Sequence, residues 1–411
     1  MVVNVDLKMN WNSQFATRTQ YAKRSAVREL LKLTAQPDMI SFAGGLPAPE
    51  LFPVEKVKEA ADLVLSEFGR QALQYGETEG IAPLRDWVAA QFNRAGQPFT
   101  VGRDNVLIVS GAQQGLDLIG RVLLNEGDKV IVENPTYLAL LGAWRPLGVQ
   151  FLGVPSDENG MVVDALEPLL QQGAKLIYSI PTFQNPQGTT LSLARRQQLA
   201  GLLRKYNVGL LEDNPYGELR YSGEALPHVF QLEAEADATG RLHSRVIYSG
   251  TFSKVLTPGL RIGWVLADEA VIDKLVMFKQ GTDLHTSTLN QYITYTLARD
   301  GVIDQQLPRL RAAYKQRRDV MLTALAQHFP AGVTWTRPDG GLFLMVTLPA
   351  HVNTADVLQV AIQHKVAFVP GEDFHLNGGQ NTFRLNFSNA QPERIEQGIA
   401  ILGQVLRAII V

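Results

Sequence analysis

From about residue 51 to residue 268, short apolar runs alternate with stretches of helical period. The runs at 106–109, 129–132, 175–180, 208–211, 246–248 and 261–266 predict buried strands. The spacing predicts helices over 113–124, from Thr136 onward and over 193–206. Strands alternating with helices in this way predict an α/β fold with a mostly parallel sheet between helices. Such a sheet binds ligands at the carboxyl ends of its strands. After it, 302–329 reads as one long helix, with Pro308 a candidate kink. Strand patterns follow at 333–335, 342–348, 366–369 and 383–387, with helices starting near Asn353 and Pro392. Three segments are therefore expected: an N-terminal arm (1–50) rich in Gly and Pro (Gly44, Gly45, Pro47, Pro49), a large domain (51–300) and a smaller α+β domain (301–411).

Composition narrows the picture. The chain has 411 residues, 45% of them hydrophobic, which is enough to bury a large core without covalent staples. Its formal net charge of −2 gives no general signal for polyanion binding, so no nucleic-acid partner is expected. Cysteine is absent, which excludes disulfides, thiolate metal sites and a cysteine nucleophile. No apolar run approaches the ~18 residues that a bilayer span needs, and the N-terminus lacks a secretory pattern. A soluble, cytoplasmic protein without a membrane partner is expected. The seven histidines are scattered, without an HExxH pattern, and no GxSxG elbow occurs. No metal site is expected.

Six segments carry candidate chemistry, and most fall just after predicted strands. Lys254 closes the run Ser249-Gly250-Thr251-Phe252-Ser253-Lys254, with Arg261 shortly after. A lysine whose surroundings disfavour its charge is a candidate Schiff-base amine, with Thr251, Ser253 and Arg261 as phosphate donors. A surface lysine near a loop is the plainer alternative. Asp213 ends a buried strand and is followed by Asn214, Pro215 and Tyr216. A carboxylate there can keep a pyridine nitrogen protonated, and Tyr216 can hydrogen-bond a phenolic ring oxygen; a helix cap would use the same residues. Asn185, followed by Pro186, offers an amide to the same oxygen or makes an ordinary turn. Ser110-Gly111-Ala112-Gln113-Gln114-Gly115 stands between strand and helix, where backbone N–H groups and the helix dipole favour phosphate, although such turns are common. Tyr137 can stack on a planar ring or simply fill the core. Arg384, between Phe383 and Leu385, reads as an arginine in a half-buried strand that needs an anion, either a substrate carboxylate or a structural partner.

Together and in this order, these segments resemble class I aminotransferases of pyridoxal-phosphate (PLP) fold type I, within them the 2-aminoadipate and kynurenine/aminoadipate aminotransferases. The resemblance runs through nearly the whole chain. It includes Ser41-Phe42-Ala43-Gly44-Gly45-Leu46-Pro47, Leu73-Gln74-Tyr75-Gly76, residues 110–115, Asn185-Pro186, Glu212-Asp213, Ser253-Lys254 and Arg384. It implies a large domain with a mostly parallel seven-stranded sheet, a smaller α+β C-terminal domain, and pyridoxal 5′-phosphate as cofactor. Lys254 would hold the cofactor and move the proton, and Asp213 would pair with the pyridine nitrogen. Asn185 and Tyr216 would bond the ring oxygen, and Tyr137 would stack on the ring. Gly111, Ala112, Gln113, Thr251, Ser253 and Arg261 would hold the phosphate; relatives often have Ser where this chain has Ala112. Arg384 would hold the substrate α-carboxylate, with Gly45 and Asn185 beside it. Tyr75 would reach into a neighbouring subunit's site, which implies a homodimer. The run Ser25-Ala26-Val27-Arg28-Glu29-Leu30 resembles a segment that covers the substrate, so Arg28 would meet an acidic side chain; a solvated helix face is the alternative. The implied activity is ping-pong transfer of an amino group from 2-aminoadipate, glutamate, an aromatic or a leucine-type amino acid to 2-oxoglutarate or a similar acid. A carbon–sulfur lyase or decarboxylase on the same fold is the alternative. A non-catalytic effector-binding regulator is another; such chains carry an added DNA-binding module, for which the sequence leaves no room.

Overall fold

The computed structural model describes residues 9–23, 30 and 38–410. Its organising element is a strand of four fully buried residues, β1 (Val106–Val109). Each such apolar side chain contributes about 1.5–3 kcal/mol on burial. Gly111 then breaks the strand with φ +82°, and helix α1 (Ala112–Leu123) begins. The same strand-then-helix rhythm yields β2 (Lys129–Asn134), β3 (Gln150–Asp157), the short β4 (Gly160–Met161), β5 (Ala174–Ser179), β6 (Gly209–Asp213), β7 (Val246–Thr251) and β8 (Gly263–Leu266).

These strands form one sheet in the order β1-β8-β7-β6-β5-β2-β3-β4. The pairs β7/β6, β6/β5, β5/β2 and β2/β3 are parallel. Strand β8 runs antiparallel to both β7 and β1. Six strands therefore point one way, and their carboxyl ends share one edge, joined there by the start of β8. The sheet has eight strands where seven were expected, because the two-residue β4 adds an antiparallel rim to β3.

The C-terminal part is built on a smaller antiparallel sheet: β9 (Thr334–Trp335), β10 (Phe343–Thr347), β11 (Val369–Pro370) and β12 (Thr382–Asn386), in the order β9-β10-β12-β11. Helix α2 (Val302–His328), which runs on through Pro308, and helix α3 (Pro392–Ile410) pack against each other beside it. Met321, Leu325, Leu344, Phe383 and Leu402 belong to their common core. Ile40 and Ser41 pair in parallel with Val366 and Ala367, so this stretch of the arm is part of the C-terminal core. Among the described residues, no helix is long and apolar enough to cross a membrane, and no group of three or more His, Cys, Asp or Glu side chains can hold a metal ion.

Candidate active site

A cavity of about 960 Å³ opens at the carboxyl edge of the large sheet. Topology alone brings the candidates there. Ala112 and Gln113 follow β1, Tyr137 follows β2, Asn185 follows β5, Asp213 ends β6, Tyr216 follows it, and Thr251, Ser253 and Lys254 close β7. Arg261 enters from the start of β8, and Gly45 and Arg384 come from the side of the small sheet. One expected residue, Tyr75, is elsewhere. Tyr75 does not line the cavity; it is 78% exposed, with its ring edge-on to His285 at 5.8 Å. Arg28 lies outside the described residues.

Asp213 is 2% exposed. The Tyr178 hydroxyl on neighbouring β5 donates to its Oδ2 at 2.9 Å, while Oδ1 is buried with no partner. Burial pushes the carboxyl up to about 6, against the pull of Tyr178 and of the nearby Ser249 hydroxyl. A buried carboxylate oxygen without a donor is costly, and it suits a cationic N–H group.

Lys254 supplies the opposite chemistry. Its Nζ donates to the Gly45 carbonyl at 3.1 Å. Burial, then the nearby Arg261 and Arg384 charges, lower its pKa to about 8. A useful fraction of the amine is therefore neutral, and so nucleophilic, near neutral pH.

Between these groups and α1 lies a cradle of donors. Gly111 is the N-cap of α1 and supplies no side-chain cap, so the first N–H groups of the helix stay open toward an anion. Thr251 and Ser253 are linked hydroxyl to hydroxyl at 3.0 Å. The Arg261 guanidinium donates to the Ser110 and Pro258 carbonyls, each at 3.3 Å. A Cβ on Gly111 would stand 2.3 Å from Arg261 Nη2, so both φ and space demand glycine there. Ser110 in turn donates to Asp283 at 2.9 Å, and Asp283 accepts from the fully buried Lys279 at 2.6 Å.

Arg384 sits in β12, whose neighbouring residues are buried on both faces. The half-buried strand expected from its alternation is instead buried on both faces from Phe383 to Asn386. Nη1 of Arg384 donates to Asn185 Oδ1 at 2.9 Å and Nη2 to the Ala43 carbonyl at 2.7 Å. The guanidinium lies 4.2 Å from the Phe343 ring centroid and 4.9 Å from that of Phe374, and its Nε has no partner. Burial lowers its pKa to about 10, which leaves it charged at neutral pH. Asn185 uses its other end to donate to the Tyr216 hydroxyl at 3.4 Å. Burial, then the Asp213 charge, push Tyr137 up to about 12, and burial pushes Tyr216 further up.

Sequence reasoning missed several contributors. Tyr178, Phe343 and Phe374 read as ordinary core aromatics, and Lys279 as an ordinary helix lysine. Lys23, Arg145 and Asp373 also line the cavity, and no motif marks them. For Tyr178 a signal existed: it lies on β5 next to β6, so a strand order would have placed its hydroxyl near Asp213.

The arrangement suits a phosphorylated pyridine aldehyde. The unpartnered Asp213 oxygen fits a ring N–H, the uncapped helix end with Arg261 fits a phosphate, and the Lys254 amine fits an aldehyde. Fold and site together define a PLP-dependent enzyme of fold type I. Residues 37–402 match the family described as aminotransferase class I and II. The chain belongs to that family and is an amino-acid aminotransferase. It is 44% identical to aromatic-amino-acid aminotransferase 1 of Thermococcus litoralis over 97% of this chain and 95% of that one. A multiple substrate aminotransferase from Thermococcus profundus superposes with a TM-score of 0.90 at 44% identity, covering 98% of this chain and 99% of that chain. An alpha-aminoadipate aminotransferase from Thermus thermophilus, solved with N-(5′-phosphopyridoxyl)-L-leucine, superposes with a TM-score of 0.89 at 40% identity, covering 98% and 99%.

Proposed function

We propose that this aminotransferase moves the amino group of acidic, aromatic or leucine-type amino acids to 2-oxoglutarate or a similar 2-oxo acid, with Lys254 as the lysine that holds the cofactor. One observation carries this reading: a buried amine of lowered pKa and a buried carboxylate with a free oxygen line one cavity. When bound, PLP supplies an aldehyde for the amino group and a protonated ring that draws electrons from the substrate Cα.

This chain's residues do the rest. Asp213, held by Tyr178, keeps a proton on the ring nitrogen. Asn185 and Tyr216 orient the ring oxygen, Tyr137 stacks on the ring, and Ala112, Gln113, Thr251, Ser253 and Arg261, over Gly111, hold the phosphate. Arg384, stiffened between two aromatic rings, binds the α-carboxylate beside Gly45 and Asn185. The Lys254 amine takes the Cα proton and returns it on the cofactor side. Arg28, which lies outside the described residues, is the proposed partner of an acidic side chain. The relatives' printed names, which include aromatic-amino-acid, multiple-substrate and alpha-aminoadipate enzymes, favour a broad donor range.

The active unit is a homodimer in which Tyr75 completes the partner's site. Its exposure, beside Leu73 at 70% and Leu284 at 46%, fits a covered surface. The division proposed is a large domain over about 51–300 and a small one over 301–411; the core around the small sheet lies mostly within the second, while Val302 to Tyr314 of α2 pack in the core of the first.

The decisive experiment follows single half-reactions by absorbance with 2-aminoadipate, glutamate, leucine, phenylalanine and kynurenine. Conversion to the aminated cofactor with release of a 2-oxo acid is expected. Regeneration of the aldehyde instead would assign a lyase, and near-normal turnover by Lys254→Ala would overturn the role of that lysine.

A further inference from the structure

A second hollow, of about 340 Å³, shares no lining residue with the catalytic cavity. It is walled by Thr182 and Glu218, near chain neighbours of Asn185 and Tyr216, and by three guanidinium groups, those of Arg94, Arg220 and Arg311. Arg311 is paired with Glu218 at 3.3 Å. The other two have no such match: among the described residues, neither Arg94 nor Arg220 forms an ion pair with a carboxylate. Asp339 acts on Arg220 only from beyond ion-pair distance. Arg220 is half-buried, donates to the Ser222 carbonyl at 3.3 Å and stacks 4.7 Å from the Phe183 ring centroid, which holds its fork in place. The His228 ring lines the same wall, with its Nδ1 turned to the buried Glu212 carboxylate at 3.7 Å.

Two guanidinium groups without a carboxylate partner line one small concavity, and planar forks match the oxygens of carboxylates and phosphates. The volume lies within the range of small-ligand sites. We propose that this hollow binds a small oxyanion, either a phosphate or the carboxylate of a dicarboxylic acid, with Arg94 and Arg220 as its charged donors. It is separate from the cradle assigned to the cofactor's phosphate.

The test is equilibrium dialysis of the holoenzyme against labelled inorganic phosphate at low salt, a readout independent of turnover. Saturable binding is expected. Arg94→Gln should weaken it ~10-fold or more, the scale of a lost charge-assisted contact, and Arg94→Lys should keep most of it. Arg94 is exposed, so these variants should fold normally; Arg220→Gln provides the second variant. No saturable binding, or equal binding by wild type, Arg94→Gln and Arg220→Gln, would overturn the site. Competition with glutarate assigns the source. Displacement of the label supports a dicarboxylate ligand, and its retention overturns the carboxylate half of the proposal.

Discussion

Replacing Asp213 by Asn should stabilise the cofactor-free protein while crippling the enzyme. Burial raises the Asp213 pKa from its ordinary 3.8 to about 6. The folded state therefore holds this proton more tightly than the unfolded chain does. Stability falls as pH rises from about 4 to about 6 and is flat above that. The gap corresponds to roughly 3 kcal/mol at about 1.36 kcal/mol per decade. The amide introduced by Asp213→Asn would carry no charge and could still accept from Tyr178, but its N–H₂ would then lack a partner, which costs about 1–3 kcal/mol. The net gain expected for Asp213→Asn is therefore ~0–2 kcal/mol at pH 7. It should vanish near pH 4, where the wild-type carboxyl is largely protonated in the folded state and close to half so in the unfolded chain. Urea unfolding of both cofactor-free proteins at the two pH values measures this as a shift in midpoint. Glu133, also buried and pushed up to about 8, adds a slope of the same sign. That slope is common to both proteins and cancels in the difference. A variant less stable than wild type at pH 7, or a difference that does not depend on pH, would refute the reasoning. With cofactor the order should invert: Asp213→Asn should lose most of its half-reaction rate, because nothing then keeps the ring nitrogen charged.

Gly111→Ala should weaken cofactor binding ~10- to 100-fold, because the new methyl group collides with Arg261 at a backbone conformation that disfavours alanine; spectroscopic titration of the cofactor-free protein measures it. The rate at which cofactor-free protein captures the aldehyde should climb with pH and level off above about 8, as the Lys254 ammonium loses its proton; a rate that keeps climbing beyond about pH 9 without levelling would argue against the lowered pKa. Tyr75→Ala and Lys254→Ala should each be nearly inactive alone. Mixed after subunit exchange, they should recover about a quarter of wild-type activity, since half of the dimers then hold one intact site; no recovery would count against shared sites.

Much of the large sheet was legible because its inner strands are continuous apolar runs, and a run such as Val106–Val109 admits few readings once glycines bound it. Strand β3 was not, because it lies near the rim. Its side chains are mostly half-exposed or exposed, and it carries Gly153 and Pro155, so its pattern resembles a loop. The pairing of Ile40 and Ser41 with Val366 and Ala367 joins opposite ends of the chain, and no local period reports it. In the site, residues that sit at strand ends were recoverable, since topology gathers them whatever the loops do. What escaped were the ties between segments. Asn185 reads as a ring-oxygen donor, yet its carbonyl oxygen accepts from Arg384. Phe343 and Phe374 matter only because they enclose that guanidinium.

These ties explain why the site favours ligands of one sign. Five basic residues, Lys23, Arg145, Lys254, Arg261 and Arg384, line a cavity in which Asp213 is the buried one of three acids. Arg261 and Arg384 both lower the Lys254 pKa. A ligand with a phosphate and a phenolic oxygen places negative charge beside them, and a substrate α-carboxylate adds more. Bound anions should therefore restore part of the Lys254 pKa that the free site suppresses, unless the amine is covalently engaged. A protonated ring nitrogen, the ligand's one cationic position, would find its partner in the free oxygen of Asp213. The polarity of the cavity, cationic at one side and anionic at the other, thus sets the orientation of the cofactor before any single hydrogen bond is counted.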